Sequence, residues 1–140
     1  MRVSTAAVVV TAALAVTGAA AAWVAPNAVA ETAVLAEQPG DGRAVFLDDP
    51  AIVDPQPLRA ESYHRVPGDR AVAVHFTTGT PQCFGVDATA TETADAVTVE
   101  LRGGTLPDAV DKACIMLAVF GSIEVPLQAP LGDRQVLAVF

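Results

Sequence analysis

The residues of this chain that could most readily do chemistry are its two cysteines, Cys83 and Cys114. A catalytic or metal-binding cysteine needs a partner motif, and the sequence contains no CxxC pair and no cysteine–histidine cluster. In an exported chain, where disulfides form and persist, a lone pair of cysteines predicts a bond between them. Closing the loop of about thirty residues between them would contribute about 3–4 kcal/mol of stability.

The two histidines, His64 and His75, are the next candidates. A metal site needs three or four ligands, and the spacing of this pair matches no helix-based or finger-like pattern. We therefore expect no metal and no cofactor, and interpret both as ordinary strand-surface or half-buried histidines. Tyr63 and Arg65 lie on the polar face of the strand predicted at 58–66. Together with His64 and His75 they form the set of possible contact residues for a partner.

Other catalytic patterns are weak. Ser62 and Ser122, the only serines after residue 30, lie in strand-like runs without a GxSxG frame. The pair Gly103-Gly104 lacks the GxxxxGK context of a phosphate-binding loop. Close carboxylate pairs are expected by chance among 16 acidic residues, and a glycosidase would also need aromatic platforms. The sequence therefore predicts a protein that is not an enzyme.

Residues 1–30 have the layout of a secretory signal peptide. Arg2 is the only charged residue before Glu31, residues 6–24 are almost all apolar, and the segment AVA at 28–30 provides the small residues that signal peptidase reads. We predict cleavage after residue 30. The alternative is an uncleaved membrane anchor, because about 19 apolar residues nearly span a bilayer. Both interpretations place the rest of the chain outside the cytoplasm, in the cell envelope or the extracellular medium.

The exported part is strongly acidic, since all 16 Asp and Glu and seven of the eight Lys and Arg follow residue 30. Nucleic acids and anionic membrane surfaces bind clustered cations, so we expect neither as a partner. The acids are scattered along the chain, which is typical of a solvated protein surface. We expect no membrane insertion of the exported part unless the N-terminal segment remains as an anchor.

Composition divides the exported part into two regions. Residues 31–55 contain three prolines and two glycines with little periodicity, and are predicted to be an extended tether whose apolar patches at 44–47 and 52–53 rest against the domain. Residues 56–140 are predicted to be one disulfide-linked β domain.

Alternating apolar and polar residues predict six strands in residues 56–140. They are 58–66, 70–77, the two arms of a hairpin around residues 92–95, a long strand bent or bulged at Gly121, and 135–139, with a short helical turn near 106–112. The predicted fold is mainly β, a small antiparallel sandwich or open barrel. The alternative is an α+β fold with a helix at about 105–120, where apolar residues also keep helical spacing.

Four features follow one another in residues 83–134: a cysteine that opens a strand (Cys83), a hairpin of the form E-[ST]-A-D-x-V-x-V at 92–99, a second cysteine (Cys114), and a closing V-x-L-x-x-P-L-G-[DN]-R at 125–134. With its surroundings this pattern covers about eighty residues and resembles a family of small exported proteins from high-GC actinobacteria. The resemblance implies an exported, disulfide-linked β domain, and it implies no activity and no catalytic residue.

The function predicted from the sequence is that of an exported, non-catalytic β domain of the cell envelope or extracellular space. It would bind an unknown protein or envelope component, or serve as a structural accessory. The alternative is a small secreted inhibitor or modulator of an extracellular enzyme. An inhibitor needs a rigid protruding loop, and TTGTPQ at 77–82 and RGGTLPD at 102–108 are the candidate loops.

Overall fold

The computed structural model describes residues 30–140, which form two five-stranded β-sheets and one 3-10 turn. The strands are β1 Thr32–Val34, β2 Ala36–Glu37, β3 Ala44–Phe46, β4 Val53–Leu58, β5 Ser62–Arg65, β6 Ala71–Thr78, β7 Phe84–Glu92, β8 Ala96–Thr105, β9 Val119–Pro126 and β10 Gln135–Val139, and the 3-10 turn is Pro107–Ala109. The prediction of a mainly β fold with one short helical turn is confirmed, and no long helix forms at 105–120. The predicted signal peptide lies outside the described residues, apart from residue 30.

Strand β8 is the centre of the first sheet. It pairs antiparallel with β7 along its whole length. On its other side the first half of β8 pairs parallel with β10 and the second half pairs antiparallel with β4, while β1 lies beyond β10. The second sheet has the order β2-β5-β6-β9-β3, with β6 antiparallel to both of its neighbours.

The core lies between the two sheets and is built mainly from β-branched and aromatic side chains, which suit a pleated, buried surface. Its fully buried members include Val72, Val74, Phe76 and Ile123 from the second sheet and Val86, Val97, Val99, Leu101 and Val136 from the first. The rings of Phe46 and Phe76 meet edge to face with centroids 5.2 Å apart. The alternation visible in β6 and β8 therefore marks the core face of each sheet.

Residues 31–55 belong to the sheets and do not form a tether outside the domain. β1 pairs with β10, β2 with β5, β3 with β9, and β4 with β8. Leu35, Phe46 and Ile52 from this segment are buried. The strands here are only two to six residues long, too short for alternation to be visible in the sequence. Residue 56 is consequently not a domain boundary in the fold.

Two other strand boundaries differ from the prediction. The strand expected at 58–66 is divided between β4 and β5, because residues 59–61 carry the chain from the first sheet to the second. The long strand expected from residue 115 begins at Val119, since Cys114 is held at the start of β7 by a disulfide. No bulge occurs at Gly121, where the register with β6 is continuous and a side chain would collide with the ring of Phe76.

The connection between β2 and β3 passes over the outer face of the second sheet, because these two strands are its opposite edges. We call residues 38–43 the strap. Gly40 of the strap lies directly over the imidazoles of His64 and His75, which face away from the core between the sheets. The second sheet is thus covered on both faces, by the core on one side and by the strap on the other.

Within residues 30–140, no helix has the length and apolar character needed to cross a bilayer.

Candidate functional site

The two histidines that the sequence offers as candidates contact each other beneath the strap. His64 lies on β5 and His75 on the neighbouring β6, where His75 stands opposite Ser62. The distance from His64 Nδ1 to His75 Nε2 is 2.7 Å, and the distance from Ser62 Oγ to His75 Nδ1 is 2.8 Å. These contacts make one hydrogen-bonded chain from Ser62 through His75 to His64.

His75 is completely buried, which differs from the expectation of a strand-surface or half-buried residue. The strap produces this burial. A Cβ atom at position 40 would collide with His64 Cε1, so only glycine allows the strap to approach the imidazoles this closely. Ser62 is also buried, with 2% of its surface exposed.

Burial lowers the pKa of His75 to about 4, and electrostatic interactions with Arg43 and with the neighbouring His64 act in the same direction. His75 is therefore a neutral imidazole near pH 7. A neutral imidazole has one donor and one acceptor nitrogen, so one partner must donate to His75 while the other accepts from it. One guanidinium nitrogen of Arg43, Nη1, is buried and makes no hydrogen bond to the described residues.

The polar groups of this histidine chain are mostly buried and bonded to one another. A substrate cannot reach the Ser62 hydroxyl at 2% exposure, and both ring nitrogens of His75 already have partners. Among residues 30–140, no three His, Cys, Asp or Glu side chains come together as they would to hold a metal ion. We infer that the chain joins β5 to β6 through satisfied polar contacts, with Gly40 of the strap packed over the two imidazoles.

Tyr63 and Arg65 do not lie on one exposed surface, contrary to the sequence-based interpretation. Tyr63 points into the core, where burial is the main cause that raises the pKa of its phenol. Arg65 is partly exposed and donates to Asp69 Oδ1 and to the carbonyl oxygen of Gly132. Of the four possible contact residues, only His64 and Arg65 reach solvent.

Two pieces of the sequence pattern meet at the hairpin end of β7. Arg134, from the closing motif, lies 3.1 Å from Glu92 Oε1, from the hairpin motif 42 residues earlier. Glu92 also accepts hydrogen bonds from the backbone amides of Gln128 and Ala129. These two bonds, together with the guanidinium of Arg134, lower the pKa of the Glu92 carboxyl. The arrangement holds the loop between β9 and β10 against the hairpin.

The opposite end of β7 carries the predicted disulfide, which the structure confirms between Cys83 and Cys114. The residues that follow Cys114 are apolar and unusually exposed. Met116 is 95% exposed, and Ile115, Leu117 and Phe120 are each more than half exposed. We call these four residues the apolar end. Large apolar patches on a soluble protein commonly mark an interaction surface.

The segment of residues 113–118 is held at both ends although it has no regular secondary structure. The disulfide fixes Cys114 at its beginning, and β9 starts immediately after it at Val119, which pairs with Thr78. Residues 113–118 make no backbone hydrogen bond to other described residues. Beside the segment, Thr78, Gly79 and Phe84 complete a mainly apolar groove of about 350 Å³.

Sequence reasoning missed the apolar end because it assigned these residues to a buried strand. The apolar run at 115–120 fits both a helical and a strand period. That ambiguity is the one sequence signal that could have marked the segment as irregular. Of the two candidate loops, residues 102–105 belong to β8 and Thr80 is buried, while Pro81, Gln82, Pro107 and Asp108 are exposed. The loop that follows the 3-10 turn carries the exposed large apolar side chains of residues 115–117.

Comparisons with protein-family models, curated proteins and solved structures find no match to this chain.

Proposed function

We propose that this chain is an exported, non-catalytic β domain that binds another exported protein through the apolar end. The observation that carries the proposal is the position of Met116, almost fully exposed among apolar neighbours and two residues after a disulfide. The disulfide limits the conformations of the segment before binding, which reduces the entropy that a partner must remove.

Leaving the apolar end in water is costly unless a partner covers it. Full burial of a Met, Leu, Ile or Phe side chain contributes about 1.5–3 kcal/mol each. The rest of the chain offers enough acidic surface to keep the protein in solution, since its formal net charge is −8. An apolar patch beside a solvated, acidic surface is what a protein-binding domain needs.

Two features support an extracytoplasmic location and a non-catalytic role. A disulfide persists in oxidising compartments, which agrees with the signal peptide predicted for residues 1–30. The nucleophile and base types present in the second sheet, Ser62 and His75, are buried and bonded to each other. We therefore place the domain in the cell envelope or extracellular medium and assign it a binding role.

A photo-crosslinking amino acid placed at position 116 tests this function. The matched control carries the same group at Val34, an exposed apolar residue on β1, outside the apolar end. In the exported fraction of the host, we expect one saturable crosslinked protein from position 116 and none from position 34. Crosslinks that are equal at both positions, or that join only copies of this chain, would contradict the proposal.

A further inference from the structure

We propose that residues 114–118 are the binding loop of an inhibitor of exported serine endopeptidases. In this proposal, Met116 enters a primary pocket that accepts large apolar side chains, and the bond between Met116 and Leu117 lies at the nucleophile. The inference rests on the proposed function and names the class of its partner.

The backbone of the segment is free to be recognised as a substrate. Endopeptidases hold a peptide by pairing with it as an added strand, which requires unused N–H and C=O groups. Residues 113–118 make no backbone hydrogen bond to other described residues. The backbone groups on either side already have hydrogen-bond partners. The amide of Lys112 donates to the carbonyl oxygen of Ala109, and Val119 belongs to β9.

The side chains of the segment select an apolar pocket. Met116 is the most exposed of them, and Ile115 and Leu117 flank it. No charged residue lies between Lys112 and Phe120, so the segment offers nothing to an acidic pocket that takes Lys or Arg. The net negative charge of the chain also makes an anionic lipid surface a poor occupant of this end.

The anchors on both sides of the Met116–Leu117 bond distinguish an inhibitor from a substrate. Cys114 is tied to Cys83 two residues before Met116, and Val119 enters β9 two residues after Leu117. If the bond were cut, neither new end could diffuse away. Groups held together in this way react as though they were present at very high concentration.

The chemical step is then reversible. The serine oxygen of the endopeptidase attacks the carbonyl carbon of Met116, and its base passes the hydroxyl proton to the nitrogen of Leu117 as the C–N bond breaks. The retained amine of Leu117 attacks the resulting ester, the peptide bond forms again, and the proton returns to the serine oxygen. No further reagent is consumed, and water hydrolyses the ester only slowly because the amine occupies its place.

Enzyme titration with matched variants tests the inference. The purified protein is added to chymotrypsin and subtilisin, and to trypsin, whose pocket prefers Lys and Arg. We expect inhibition of chymotrypsin and subtilisin near one equivalent. The variant Met116→Lys should inhibit them at least tenfold less well and should gain inhibition of trypsin. The control Val34→Lys should behave as the original chain.

A second variant separates inhibition from simple cleavage. Without the disulfide, in the double variant Cys83→Ala/Cys114→Ala, the chain should become a substrate that is cut between Met116 and Leu117 into two fragments, whose masses together exceed that of the intact chain by one water. Rapid cleavage of the unaltered chain, or no inhibition of chymotrypsin or subtilisin, overturns the inference. If position 116 still crosslinks to an exported protein that is not an endopeptidase, the proposed function survives and this inference fails. If it crosslinks to nothing, both fail.

Discussion

Cys114 is bonded to Cys83 at the start of β7, and this bond brings an exposed, unpaired segment next to the ordered end of the two sheets. The bond has two consequences. It prevents residues 110–118 from extending β9, and it fixes the position from which Met116 reaches solvent. The stability of the domain and the position of the apolar end therefore depend on the same covalent link.

Removing the disulfide should lower the free energy of unfolding by about 3–4 kcal/mol, because it releases a constraint on the unfolded chain. The double variant Cys83→Ala/Cys114→Ala, whose two sites are 31 residues apart in the sequence, is the test. Urea unfolding at pH 7 measures the change. A loss below about 1 kcal/mol would mean that the loop is held by its other contacts.

Acid should weaken the fold through His75. In the folded protein the pKa of His75 is lowered to about 4, while in the unfolded chain it is about 6.5. Between these values the unfolded state binds more protons, so stability is present above pH 6.5 and is lost as the pH falls toward 4. We expect a loss on the order of 2–3 kcal/mol between pH 7 and pH 4.5, measured by urea unfolding.

The variant His75→Gln is the control for this pH dependence. It should be less stable at pH 7, because it disturbs the contacts with Ser62 and His64, and its stability should be nearly constant between pH 6.5 and pH 4.5. The lowered pKa values of Asp69 and Glu92 remove stability mainly below about pH 5, since the usual values of these groups are 3.8 and 4.5. An unchanged pH slope in the variant would show that another group is responsible.

Replacing Gly40 with alanine should destabilise the domain by about 1–3 kcal/mol, because the new methyl group would collide with the ring of His64. Gly103→Ala is the matched control, since a Cβ atom there would lie 3.6 Å from Leu58 Cδ2, an ordinary contact. Thermal unfolding of both variants measures the difference. Equal effects would indicate that the strap moves aside without cost.

Replacing Arg134 with methionine should cost about 1–3 kcal/mol, because it removes the guanidinium donor to Glu92 and the donors to the carbonyl oxygens of Ala129 and Pro130. The side chains of Arg134 and Glu92 are only 11% and 15% exposed. Arg102→Met is the control, since its pair with Glu100 is about half exposed and should change stability by less than about 0.5 kcal/mol. Urea unfolding measures the loss of stability in each variant. Equal losses would show that the burial of the Arg134–Glu92 pair does not make it stronger than the exposed pair.

Sequence reasoning predicted the parts of the fold that depend on local alternation and missed those that depend on distant contacts. The strands β6, β7 and β8 are long enough for their period to be visible, and the cysteine pair needed only counting. The burial of His75 requires the knowledge that β2 and β3 form opposite edges of one sheet, so that the strap must pass over it. Nothing local in the four residues of β5 shows this.

The wrong prediction that Tyr63 faces solvent has the same origin. Its strand is short, both faces of the second sheet are covered, and Ser62 on the strap side is as buried as Tyr63 on the core side. The rule that polar residues face water fails when a connection covers that face. The apolar end is the reverse case, since its residues have a core composition and the disulfide holds them outside the core.

The most direct test of the central claim is the dissociation constant of the crosslinked partner, once purified, for two variants of this chain. Met116→Asp should weaken binding at least about tenfold, the effect expected when a well-buried methionine contact of about 1.5–3 kcal/mol is lost. Val34→Asp should leave the dissociation constant within about twofold. Equal weakening by both variants, or by neither, would contradict binding through the apolar end.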